Sequence, residues 1–352
     1  MLHREIPNNT TESPFVLQSE SQQPLRTLAE WEEKKKSWKN NMASIMGTLP
    51  FRDNLKRPEI NYLDSTVEST YTKHHISFDS NERNQVTAFL YIPHKIKVKA
   101  PAMLVLHSTG DLGKKIVDGQ GPLENRALAS ELAERGYVVI APDYPSFGEQ
   151  KDHDFSKDGF DSGTLLAVWN HMRCVDALTY MDEVDSERIG VIGHSLGGHN
   201  ALFVAAHDSR LKAVVTSCGW TPFDYYDIGE AGIKNYGGRL GPWAQDRYMP
   251  VIKKLLPEAT LPFDFTHIIA SIAPRPVFTN APLQDSNFSV EGVKSGIEAI
   301  QPVYNWLGYP DNLQVRYPNA SHDFPENTRK EAYSFLDDVF GFTPLKKLAF
   351  EK

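Results

Sequence analysis

The sequence predicts an α/β fold: a mostly parallel sheet with helices on both faces. Three observations carry this. From Ala100 onward, short apolar runs alternate with helical stretches, the pattern left by crossover connections between parallel strands. The runs PAMLVLHSTG (Pro101–Gly110) and YVVIAPDY are apolar without a polar alternate, as strands covered on both faces must be. The 352 residues, 40% of them hydrophobic, can bury one large core and still line a pocket.

Residues 1–23 are polar and aperiodic and read as a tail or surface arm. Leu25–Met46 places Leu28, Trp31, Trp38, Met42 and Met46 at near-helical spacing, and Leu49-Pro50 ends that helix. Val67–Phe78 and Val86–Ile92 form a hairpin-like opening. The alternation then runs through a helix in LENRALASELAERGY that ends at Gly136, and a helix over about 163–181. RIGVIGHSLGGHNALFVAAH follows as strand, tight turn and helix. LKAVVTSCGW, RPVFTNAP and LQVRYPNASHDF supply further strands, and a last helix spans about 326–340. Trp220 to about Phe265 interrupts the pattern and is rich in Tyr, Trp, Gly and Pro, which marks a lid or substrate-binding insertion. Pro145–Gly163, polar and punctuated by glycine, is a second rim segment.

A formal net charge of −8 argues against a nucleic-acid partner, because phosphate binding needs clustered Lys and Arg. The one basic run, Lys34–Lys36, is interleaved with acids and reads as a solvated helix face. Cys174 and Cys218, in a helix and a buried strand, lack ligand spacing and read as buried free thiols. No apolar signal core or membrane-length stretch is visible. The expectation is a soluble protein, cytoplasmic as given, or secreted or periplasmic if a signal peptide has been removed. No metal or organic cofactor is implied, and the oligomeric state is open.

Gly193-His194-Ser195-Leu196-Gly197 is a GxSxG motif between an apolar strand and an Ala-rich helix. Glycine at both flanks removes Cβ atoms where strand and helix collide, so the turn can hold Ser195 strained with Oγ exposed. The alternative is a glycine-rich turn around an inert serine. A serine hydroxyl needs a base. His322, after the last strand and about 130 residues downstream, holds the place that strand–turn–helix serine sites give it. Asp285, just past the strand before last, is the candidate acid; Asp224, Asp227 and Asp311 are rivals, and Asp323 would point away from the ring. The N–H of Leu196 is one oxyanion donor, and the Thr109 N–H the positional choice for the second. His107 reads as a brace for that loop.

The segments GVIGHSLGGHNALF, VLHSTG, APDYPSFGE and ASHDF resemble the dienelactone-hydrolase-like and acetyl-xylan-esterase-like branch of the α/β-hydrolase superfamily, over residues 49–342. The resemblance implies an eight-stranded, mostly parallel sheet, a Ser195–Asp285–His322 triad and serine carboxylesterase activity. It also divides the chain into an N-terminal arm and helix (1–48) and a catalytic domain (49–345) with its insertion at about 220–265. His107-Ser108 stands where the family's oxyanion loop has His-Gly, and serine rather than cysteine as nucleophile points away from a dienelactone substrate. The implied substrate is a small acyl or carbohydrate ester. Trp220, Phe223, Tyr225, Tyr226, Trp243 and Tyr248 could stack on sugar rings or form a packed lid core. An oligopeptidase-like amide hydrolase and a non-catalytic binding homologue are the alternatives.

Overall fold

The computed structural model describes residues 23–53, 55–96 and 98–349. The expected arm over 1–23 lies, apart from Gln23, outside the described residues. Helix α1 (Leu28–Met46) opens on a capping box in which Thr27 and Glu30 satisfy each other's backbone N–H groups. Its apolar stripe, Trp31, Trp38, Met42, Ile45 and Met46, is buried. Trp31 and Trp38 meet Trp306 and His267 edge-on or tilted, with ring centres 6.0 and 4.9 Å apart, so the helix is docked on the main core.

Among the described residues nine strands form one sheet: β1 (Asn61–Val67), β2 (Tyr71–Asp79), β3 (Gln85–Pro93), β4 (Ala100–Leu106), β5 (Val138–Pro142), β6 (Val184–His194), β7 (Leu211–Ser217), β8 (Val277–Asn280) and β9 (Leu313–Arg316). They lie in the order β1-β2-β3-β5-β4-β6-β7-β8-β9. Pairs from β1 to β5 are antiparallel, and those from β5 through β9 are parallel. Eight strands were expected, and the ninth is β1. Every residue of NYLDSTV is exposed, so the strand shows no apolar alternation that could reveal it. For the same reason the expected strand Val67–Phe78 is split: Val67 ends β1, and β2 begins at Tyr71.

Among the described residues seven further α-helices follow: α2 (Leu128–Arg135), α3 (Gly163–Thr179), α4 (Leu196–His207), α5 (Gly229–Tyr236), α6 (Phe265–Ile272), α7 (Val290–Leu307) and α8 (Glu326–Phe340); α5 has no buried residue and belongs to the insertion. Alternate residues of β4 feed two cores. Ala102, Leu104 and Leu106 join Val168 and Phe203 of α3 and α4 on one face, while Met103 and Val105 join Leu132 and Tyr333 of α2 and α8 on the other. Helix α2 starts five residues later than its apolar pattern suggested, because the chain first makes a short 3₁₀ turn at Glu124–Arg126. Cys174 and Cys218 are buried and free, but Cys218 lies one residue beyond β7, at φ 48°, not within a strand. Among the described residues no helix is long and apolar enough to cross a membrane.

The topology prepares a site. In the order β5-β4-β6 the chain winds outward from β4 in both directions, and a crevice opens at the carboxyl ends of such neighbours. Leu106 pairs with Gly193, which sets the loop after β4 beside the turn after β6.

The insertion is closed on itself by Asp264. Its carboxylate caps α6 through the Phe265 N–H (2.6 Å) and also accepts the Phe223 N–H (3.1 Å). Burial outweighs those donors and pushes this carboxyl up to about 6. An unfolded aspartate titrates near ~3.9, so between about pH 4 and 6 the folded chain holds the extra proton. Stability from this group is therefore greatest at the acid end of that window and falls as pH rises through it. We expect Asp264→Asn to flatten this dependence, so that the stability difference between variant and wild type moves in the variant's favour by about 1–3 kcal/mol from pH 4 to 7. Urea melts at the two pH values measure it, and an unchanged difference would refute it.

Candidate active site

Ser195 occupies the one-residue turn between β6 and α4, at φ 56° and ψ −116°. A residue with a side chain holds that conformation only at a cost of about 1–3 kcal/mol, met by the surrounding packing. Glycine makes the packing possible. A Cβ on Gly193 would lie 2.2 Å from the Gly197 carbonyl oxygen, and one on Gly197 would lie 2.1 Å from that of Leu106. The Ser195 N–H donates to the Ser217 carbonyl at 2.8 Å, tying the turn to β7.

Ser195 Oγ donates to His322 Nε2 at 2.9 Å. His322 Nδ1 donates to both oxygens of Asp285, at 2.9 and 3.0 Å. The loops carrying these two residues are zipped together beyond the sheet: the Ala281, Leu283 and Gln284 N–H groups donate to the carbonyls of Arg316, Pro318 and Ala320. Burial alone would raise the Asp285 carboxyl, but His322 and the N–H groups of Asn287 and Phe288 outweigh it and hold it below the usual carboxylate range. The ionised acid therefore fixes the His322 proton on Nδ1 and leaves Nε2 free to accept. Of the rival acids, Asp224 is solvent-exposed and paired with Arg239, and Asp227 bonds the Gly229 N–H. Asp311 lies in the short 3₁₀ helix before β9. Asp323 turns its carboxylate to Arg126 and Asn125, both at 2.7 Å, away from the His322 ring.

Sequence reasoning gives no site role to four other residues here, Cys218 reading only as a buried free thiol. Arg126, buried, donates to the His322 carbonyl at 3.3 Å while paired with Asp323, and no local pattern marks it. His194 meets the His322 ring at a tilt, with centres 5.0 Å apart, and burial keeps it neutral. His199 is one helical turn after Ser195 and lines the same cleft; that i, i+4 spacing was the signal available. Cys218 Sγ, an Asp285 oxygen and a His322 nitrogen lie within 4.8 Å of one another, a spacing a metal could use. Asp285 and His322 already bond each other, however, and burial with the Asp285 charge keeps the thiol protonated, donating to the Asp323 carbonyl at 3.2 Å. His107 accepts the Tyr144 N–H on Nε2 (2.9 Å) and donates from Nδ1 to the Ser108 carbonyl (2.7 Å), bracing the loop that holds Thr109.

Ser195 opens onto a cleft of about 640 Å³. Thr109 and Leu196 line it, as do Tyr226, Trp243 and Tyr248 among the six insertion aromatics. The other three do not: of the two readings the sequence left open, Trp220 and Phe223 take the packed-core one and Tyr225 lies outside the cleft. Trp220 is 1% exposed, bonds Thr279 and fills the space left by the missing side chain of Gly296 on α7. Phe223 packs behind the cleft wall among Trp243, Phe263 and Phe265. Tyr225 lies over Gly292 with its ring half in solvent. A tight turn at Phe223–Tyr225 separates inward from outward faces, and composition alone carries no record of it.

A profile for acetyl xylan esterase (AXE1) matches residues 35–225, more than half the chain. The chain belongs to the acetyl xylan esterase (AXE1) family. It is a serine ester hydrolase with the α/β-hydrolase fold. A second profile, for the glucuronyl esterase of fungi, matches residues 145–308 of this AXE1 member. YtaP of Bacillus subtilis, named as a hydrolase, is 27% identical over 268 residues, which cover 73% of this chain and 85% of YtaP. The 4-O-methyl-glucuronoyl methylesterase of Hypocrea jecorina is 26% identical over 54% of this chain, and the match spans 44% of that relative. The glucuronoyl esterase of Solibacter usitatus superposes with a TM-score of 0.73 at 18% identity, covering 96% of this chain and 99% of the other.

These placements separate two tryptophans. Trp220→Ala removes a buried ring from the core and should cost about 3–5 kcal/mol of stability while leaving KM of the folded fraction unchanged. Trp243→Ala removes cleft wall and should raise KM for a bulky ester more than it lowers kcat. Thermal melts beside kcat/KM test this. A KM effect from Trp220 would return it to the cleft.

Proposed function

We propose that the AXE1 member described here cleaves esters of carbohydrates, acetyl esters first, through an acyl-enzyme on Ser195. The observation that carries this reading is the continuous relay Asp285–His322–Ser195, with links of 2.9 Å, at the floor of an aromatic cleft. His322 Nε2 takes the Oγ proton as Ser195 attacks the ester carbonyl carbon. The ionised Asp285 stabilises the imidazolium that forms. The carbonyl oxygen, now anionic, is received by the N–H groups of Leu196 and Thr109. Collapse breaks the ester C–O bond as His322 returns the proton to the leaving alcohol oxygen. Water, deprotonated by His322, then attacks the acyl carbonyl carbon; the bond from that carbon to Ser195 Oγ breaks, Oγ takes the proton back from His322, and the acid is released.

The choice of a sugar ester rests on the family match and on the cleft's lining, where Tyr226, Trp243 and Tyr248 offer ring faces and Gln245 and Asn287 offer neutral hydrogen-bonding groups. In this reading residues 49–345 carry the chemistry, and the segment at about 220–265 selects the substrate. A second reading, a uronoyl ester with the sugar on the acyl side, is favoured by the glucuronyl esterase match over residues 145–308.

Acetylated xylo-oligosaccharides, alkyl glucuronates, p-nitrophenyl acyl esters and aminoacyl anilides, assayed side by side, distinguish acetyl, uronoyl and amide cleavage. We expect the acetylated sugars to give the highest kcat/KM, and a preference for alkyl glucuronates would favour the second reading. Anilide turnover without ester turnover would overturn both. Ser195→Ala should lower turnover about a thousandfold or more and abolish labelling by a fluorophosphonate. Asp285→Asn should cost about four orders of magnitude in kcat by releasing the wrong imidazole tautomer. Full activity in either variant would move the chemistry elsewhere.

A further inference from the structure

Behind the loop after β4 lies a buried ion pair that the mechanism above does not use. Lys114 and Asp143 have side chains 1% and 0% exposed, with Nζ 2.5 Å from Asp143 Oδ2. Lys114 Nζ also donates to Glu149 at 2.6 Å and sits 5.1 Å from the centre of the Phe89 ring. The Asp143 carboxylate takes more than the ammonium. Its Oδ1 accepts the Lys114 backbone N–H at 2.8 Å, and its Oδ2 accepts the Thr87 hydroxyl at 2.8 Å and the Glu149 N–H at 3.3 Å. One carboxylate thus joins β3, the loop after β4 and the loop after β5.

The surrounding backbone is shaped to that carboxylate. Gly113 and Gly148 both adopt the left-handed conformation, at φ 55° and 56°. A Cβ on either would lie about 2 Å from Asp143 Oδ1, at 2.1 and 2.0 Å. Ion pairs buried this completely seldom add net stability over an apolar pair of the same shape, because desolvating both charges offsets their attraction. What this pair supplies is a fixed position. From Lys114 the constraint passes directly to the active site: the Gly113 N–H closes a turn on the Gly110 carbonyl (3.0 Å), next to Thr109, and the Gly148 N–H holds the Asp111 carbonyl (3.2 Å).

We propose that Lys114 and Asp143 are positioning residues for ester hydrolysis, holding the Thr109 N–H where the oxyanion develops. This rests on the reading of Thr109 as an oxyanion donor. It also explains how the loop keeps its aim with Ser108 where a glycine was expected: the loop is held from behind. A donor held in advance stabilises the transition state without binding the ground state more tightly. Loosening the clamp must therefore act on kcat and on mimics of the tetrahedral state, and spare KM.

The test compares wild type, Lys114→Met/Asp143→Asn, and Gly148→Ala. The double variant leaves no lone buried charge and retains an acceptor for the Lys114 N–H, while the added Cβ of Gly148→Ala displaces the carboxylate without altering any charge. Each is assayed for kcat and KM on an acetyl ester, for affinity toward an alkyl boronic acid that forms a tetrahedral adduct on Ser195, and for its melting temperature. We expect kcat to fall about 10²–10³-fold, boronate affinity to fall in parallel, and KM to stay within about twofold. Folded variants with wild-type kcat and boronate affinity would overturn the proposal, as would a kcat loss with boronate affinity unchanged. If Ser195→Ala stays active, the triad reading fails instead, and that result is separate from the behaviour of the clamp.

Discussion

The approach of three backbone segments around Gly197 governs the rest of this molecule. Its Cα passes so near the Leu106 carbonyl that no side chain fits between them, and Gly193 meets Gly197 just as tightly. Because β4 and β6 are parallel neighbours in register at Leu106 and Gly193, this contact brings the serine turn against the following loop. Both proposed oxyanion donors, Leu196 and Thr109, flank that contact. Two glycines thus set the distance between the attacking atom and the groups that would receive the charge it creates.

Charge is handled differently at the two sides of the site. On the acid side, Asp285 is held ionised by His322 and two backbone N–H groups, so the histidine arrives with its proton already on the correct nitrogen. Around it, His107, His194 and His199 are kept neutral by burial, and none adds a competing positive charge beside the relay. An esterase that passes through an imidazolium gains from such neighbours, which offer ring surface and hydrogen bonds without repelling the cation.

How much of this was legible in the sequence depends on how local each signal was. β4 to β7 announce themselves as apolar runs because both their faces are covered. β1 does not, since it is exposed along its whole length. Helix α7 carries Pro302 in its interior, a residue that argues against a helix when read alone. Ser195 is marked by its glycines, and Asp285 and His322 by their places after successive strands; the structure brings these three together. The insertion aromatics were legible only as a set. Which of them face the cleft is decided by the turn at Phe223–Tyr225 and by small residues on α7, Gly292 and Gly296, far away in sequence. Arg126 and the Lys114–Asp143 pair left no motif because their partners are distant in the chain.

The acid and the base are carried by the loops of the two shortest strands, β8 and β9, four residues each, and β9, the base's strand, is the border of the sheet. Border strands fray at lower free energy than central ones, because they have one neighbour and fewer buried contacts. Opening β9 alone would carry His322 away from Ser195 while β4, β6 and both cores remained intact. Loss of activity on heating would then begin as a local event, ahead of the global transition, and the border of the sheet, not its centre, would set the temperature to which the enzyme works.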